Sequence, residues 1–185
     1  MRAFLLGLAV FLAFFLPSNA AASPASLPLG DHVSNEGEDM EAFLLRLAPT
    51  LEAYTAETGF EACGFVAQNE DGTRLGVRLV TSRGALTCFM RRADVPEGMT
   101  AMRATIHSHP QRSKVAPTAS DIAFHATRPS ASGRVVRRGQ LESTGHAHGA
   151  AFSAADYEGG AGYLVTHGAL HYQEGRGTER VVGSF

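Results

Sequence analysis

Residues 60–82 read FEACGFVAQNEDGTRLGVRLVTS, two apolar runs split by a polar tetrad ending in glycine. The runs at 60–68 and 74–80 have strand length and are rich in Val, Leu and Phe, and 69–72 supplies turn residues, so the stretch predicts a β-hairpin. Upstream, 40–58 (MEAFLLRLAPTLEAYTAET) spaces Phe43, Leu44, Leu47, Leu51 and Tyr54 three and four residues apart, which predicts an amphipathic helix. Pro49 is expected to kink that helix or split it, and Gly59 to end it. Downstream, 85–91 and 99–108 are expected as a third and a fourth strand. The pattern predicts an α+β domain, an antiparallel sheet with a helix leading into it.

The chain has 185 residues, enough for one domain with a real core. It opens with Arg2, an apolar stretch at 3–16, a helix-breaking Pro17 and small residues at Ser18, Ala20 and Ala22. That order of charge, apolar core and small residues reads as a secretory signal peptide over 1–22, too short for a membrane span. Export to the periplasm or the medium is the expectation, with no membrane anchor after cleavage. Losing Arg2 and no acid takes the formal charge from −2 to −3, a balance that offers nothing to nucleic acid. Residues 23–38 are rich in Pro, Gly, Ser and acids and read as an exposed linker, which starts the domain near Asp39 and extends it over 39–185. Cys63 and Cys88 are the two cysteines, an even pair that permits one disulfide or two buried thiols.

Past residue 108 the pattern weakens. TASDIAFHATR can form a helix that Pro129 stops, with Thr118 as its cap and Asp121 in its first turn. The Gly-, Ser- and Arg-rich run that follows predicts a surface insertion over about 122–152. In FSAADYEGGAGYLVTHGALHYQEG, Ser153 is expected to cap a short turn ended by Gly159 and Gly160, and 163–166 to pair with 169–173 across His167 and Gly168.

Candidate chemistry begins with RATIHSHP, 103–110. On a strand His107 and His109 project to one face while Ser108 points away, so both imidazoles can reach one ion. Two neutral nitrogens favour zinc, which in a catalytic site takes three protein ligands and a water. The same pair also reads as two surface histidines at a strand end. Glu61 places a carboxylate in an otherwise apolar strand, on one face with Cys63 and Phe65, where a general base is one reason to keep it and a solvent-facing edge position is another. His146 and His148 repeat the spacing without an apolar strand before them and read as loop residues. His125, His167 and His171 have no partner spacing.

The order of ExCGF on an early strand, IHSHP, and a Ser-x-x-Asp element resembles the JAB/MPN domain family, the JAMM metalloproteases, over roughly 40–173. The resemblance implies a mixed, largely antiparallel sheet flanked by helices, in an α/β-sandwich-like, cytidine-deaminase-like layering. It implies a Zn2+ site with His107 and His109 as ligands, Glu61 as the base acting on zinc-bound water, and the motif serine as a donor to the oxyanion. For the third ligand, Asp156 in FSAAD has Ser153 correctly placed but is separated from His109 by 46 intervening residues. Asp121 in PTASD is separated from it by only 11 intervening residues but has Thr118 where the serine belongs. Asp156 with Ser153 is preferred, with Asp121 and Thr118 as the alternative, because lengthening a surface loop adds closure cost only logarithmically.

The implied activity is hydrolysis of a peptide or isopeptide bond in an exported peptide or protein substrate, cell-wall peptide among the candidates. A metal-free member of the same fold acting as a binding or scaffold module is the rival from another class, and a secreted effector would share the chemistry with a different target. The sequence carries no reading of oligomeric state.

Overall fold

The computed structural model describes residues 25–111, 115–127 and 151–185. It is an α+β fold in which, among the described residues, three helices accompany one seven-stranded mixed sheet. Helix α1 is Met40–Thr58, α2 is Ala119–Thr127 and α3 is Ala154–Glu158. The strands are β1 Leu27–Val33, β2 Cys63–Gln68, β3 Leu75–Thr81, β4 Thr100–Ser108, β5 Gly162–Thr166, β6 Ala169–Gln173 and β7 Arg180–Ser184. They lie side by side as β1-β3-β2-β4-β5-β6-β7. Only β4 and β5 run parallel, so the link between them is a crossover. The expected signal peptide and His146 and His148 lie outside the described residues, as does most of the expected insertion.

Helix α1 is capped at both ends. The Asp39 carboxylate accepts from the Ala42 N–H at 3.0 Å, and Gly59 ends the helix at φ 74° with its N–H on the Thr55 carbonyl. Its apolar stripe, Phe43, Leu44, Leu47 and Leu51, packs with Val66, Val77, Ile106, Val165 and Leu170 of the sheet to make the core. Pro49 neither splits nor ends the helix. One missing donor is tolerated where buried residues on both sides of the proline are seated on the same sheet.

The central hairpin forms as expected, Ala67 opposite Gly76, with its second strand at Leu75–Thr81. The β5–β6 hairpin turns through His167 at φ 52° and Gly168 at φ 69°, the two positive angles that a type I′ turn requires. Three expectations are corrected. The stretch expected as a linker contains β1, held on β3 by direct backbone pairing and by the cross-strand Asp31–Arg78 ion pair at 2.6 Å. Pro28 and Gly30 are accommodated because β1 is an edge strand and its register shifts between them. Residues 85–91 form no strand; they are a loop tied down by side chains. Strand β2 begins at Cys63, so Glu61 stands just before it rather than within it.

Alternation along β4 divides the sheet's two faces. Ile106 is buried against α1, while His107 faces the opposite side, where the crossover carrying α2 and α3 lies.

Candidate metal centre

Ser108 sets the geometry from beneath. Its hydroxyl meets Thr55 Oγ1 of α1 at 2.5 Å and accepts from the Ala62 N–H at 3.1 Å, and its own N–H donates to the Ala62 carbonyl at 3.0 Å. The residue between the two histidines is thereby fastened to the neighbour of Glu61. The Glu61 backbone is held on its other side, its N–H on the Gly84 carbonyl and its carbonyl accepting from Thr81 Oγ1, both at 2.8 Å.

On the cleft side the imidazoles converge: His107 Nε2 and His109 Nε2 are 3.1 Å apart. Asp156 closes the triangle, with Oδ1 at 3.2 Å from His107 Nε2 and Oδ2 at 3.7 Å from His109 Nε2. Each of the three offers a ligand atom within 4.8 Å of the others, the one such group among the described residues. Glu61 Oε1 lies 3.9 Å from His109 Nε2, buried and without a hydrogen-bond partner.

The position of Asp156 follows from its helix. Ser153 and Asp156 form a capping box: the Ser153 N–H donates to Asp156 Oδ2 at 2.6 Å and the Asp156 N–H to Ser153 Oγ at 3.3 Å. Gln173 of β6, which sequence reading passed over, steadies this helix from outside by donating from Nε2 to the Gly160 carbonyl at 2.6 Å and the Asp156 carbonyl at 3.4 Å. A lone glutamine carries no motif; its only sequence signal is a polar residue at the end of an apolar strand.

Asp121, the alternative ligand, is fully buried and contacts neither histidine. It accepts from the Ala85 and Leu86 N–H groups at 3.0 Å each and from Thr87 Oγ1 at 2.8 Å. It also accepts from the N–H and hydroxyl of Thr118, which caps α2 as expected. The Asp121–Thr118 pair is therefore corrected from candidate ligand and donor to loop anchor: five bonds leave the carboxylate nothing to offer an ion. The same loop fixes Gly84, where a Cβ would stand 2.1 Å from the Thr87 carbonyl oxygen and 2.7 Å from Asp121 Oδ1. Cys63 and Cys88 form a disulfide, fastening the loop to β2.

Electrostatically the two site acids diverge. Burial pushes the Asp156 carboxyl up, but the charges of His107 and His109 and the bonds from His107 and the Ser153 N–H outweigh it and hold it well below the usual range. Burial first, and then the neighbouring charges of Asp156 and Asp121, push Glu61 well above its ordinary value. Two acids, one kept ionised and one inclined to hold a proton, suit a ligand and a proton carrier respectively.

These groups open on a cleft of about 500 Å³ that Ser153 and the 86–92 loop also line. A second surface depression, beside Glu52 and Phe185, contains none of them. Compared with models of protein families, with curated proteins and with solved structures, the chain matches none.

Proposed function

We propose that the protein is a zinc-dependent hydrolase of the JAB/MPN type that cleaves a peptide or isopeptide bond. The observation that carries the reading is the convergence of His107, His109 and Asp156 beside a buried, unpartnered carboxylate oxygen of Glu61. Two imidazoles and one carboxylate are a donor set suited to a catalytic zinc, which keeps one position open. An ion held there lowers the pKa of a water and polarises the carbonyl facing it.

Glu61 takes a proton from the attacking water at Oε1 as the new C–O bond forms. It returns that proton to the leaving nitrogen as the C–N bond breaks, giving a carboxylic acid and an amine. Ser153 uses Oγ as an acceptor for its own helix, so its O–H proton is left to donate to the carbonyl oxygen as negative charge gathers there. Against the metal-free scaffold reading stands Glu61 itself, since a binding module gains nothing from a buried carboxylate oxygen with no hydrogen-bond partner. The Cys63–Cys88 disulfide favours an oxidising compartment, in keeping with export to the periplasm or the medium, where cell-wall peptide and secreted proteins are the available substrates.

The test is Glu61→Gln in the zinc-loaded protein, assayed by mass spectrometry against a pool of peptides and isopeptides. Zinc content is expected unchanged and cleavage about 10²- to 10⁴-fold slower, the range for losing a general base. Equal cleavage by the variant, or no cleavage by the zinc-loaded parent, overturns the reading.

A further inference from the structure

The cleft that contains the candidate metal centre also has an apolar wall, and that wall is tied down. Leu86, Phe89 and Met90 of the loop, with Phe124 of α2, line it in a half-buried state beside the Cys63–Cys88 disulfide. Phe89 and Phe124 meet edge to face, their centroids 6.4 Å apart.

A short loop carrying three large apolar side chains would ordinarily fold them into the core. Three ties prevent this. Asp121 holds the Ala85 and Leu86 N–H groups and the Thr87 hydroxyl, Ser82 Oγ accepts from the Phe89 N–H at 3.1 Å, and the disulfide fixes residue 88 to β2. A surface that stays apolar toward a cavity is a preformed subsite, because its own ordering cost is met in folding.

Both arginines of the rim already have partners in the fold. Arg91 is committed to Asp94 at 2.7 Å, and Arg92 donates to the Ala101 and Met102 carbonyls at 2.9 and 3.1 Å. The wall and the His107–His109–Asp156 group share one continuous cleft, so a bond presented to the second leaves a flanking side chain beside the first.

We infer that this wall is a specificity subsite that takes a large apolar or aromatic side chain of the residue flanking the cleaved bond. The inference rests on the hydrolase reading for the bond that is cut, but not for what the wall binds.

The test uses two peptides, acetyl-Gly-Gly-Phe-Gly-Gly-amide and its Ser counterpart, and the full protein in two states. With the EDTA-treated protein, methyl NMR of Leu86 and Met90 is expected to shift on adding the Phe peptide, with Kd about tenfold below that of the Ser peptide. A Leu86→Ser variant with an otherwise unchanged spectrum is expected to lose that preference. Equal binding of the two peptides, or shifts that avoid Leu86 and Met90, overturns the inference. The zinc-loaded protein then separates the two readings. Phe-selective binding with neither peptide cleaved contradicts the hydrolase and leaves the subsite standing, whereas cleavage of both at equal kcat/KM with equal binding contradicts the subsite alone.

Discussion

Ser108 faces away from the cleft, yet its hydroxyl fixes how far the Glu61 segment lies from the histidines on either side of it. Side-chain anchors of this kind are hidden in a sequence, because their partners, Thr55 and Ala62, are distant along the chain and ordinary in type. Asp121 is the same case with a larger consequence. A short spacing from His109 makes it a plausible ligand on paper, and only the fold reveals that its oxygens are spent on residues 85–87 and Thr118. Asp121→Asn turns an acceptor of five bonds into a group with donors facing donors. It is expected to cost about 2 kcal/mol in urea unfolding and to leave zinc binding intact. Asp94 carries a pH dependence at the same scale. Burial pushes its carboxyl up, but the Arg91 side chain and backbone N–H more than compensate, so it sits below its ordinary value when folded. A depressed folded pKa adds stability above the unfolded value near 4 and loses it as the pH falls through the folded one. The stability gap between the parent and Asp94→Asn is therefore expected to shrink from about pH 6 to about pH 3, measured as urea midpoints; a constant gap contradicts the assignment.

Among the elements, those specified by local pattern were legible. Both hairpins carry their turn chemistry in a few residues, and α1 carries its periodicity and its terminating Gly59. Elements that depend on a distant neighbour were not. Strand β1 reads as a linker because Pro28, Gly30 and Asp31 suit only an edge position beside β3, and β7 was missed because its five residues gain definition from β6. The apolar run at 85–91 resembles a strand, yet its backbone is bonded to side chains instead of another strand. Its disulfide joins residues 25 apart in sequence, a loop for which the chain-entropy view gives about 3.5 kcal/mol. The Cys63→Ser, Cys88→Ser double variant is expected to lose about that much in denaturant unfolding, with hydrogen exchange rising first at 84–92. Unchanged exchange there would mean that Asp121 and Ser82 suffice.

Across the whole molecule, the site joins three places: the approach to β2 for Glu61, the end of β4 for the histidines, and α3 before β5 for Asp156. The parallel pairing of β4 with β5 brings the last of these home, Ser108 opposite Val165, despite the long separation in sequence. The residue types were legible from the order of three short motifs. The choice between two acids was not, because chain separation says little about distance once a crossover returns to the same sheet edge. We propose that His107, His109 and Asp156 together hold one metal ion. Elemental analysis of untagged protein after zinc loading and dialysis tests it most directly, with the fold of each variant checked by circular dichroism. About one zinc per chain is expected in the parent and in Asp121→Asn, and close to none in His107→Ala and Asp156→Ala. A folded Asp156→Ala variant that keeps its zinc, or a parent that binds none, would contradict the account.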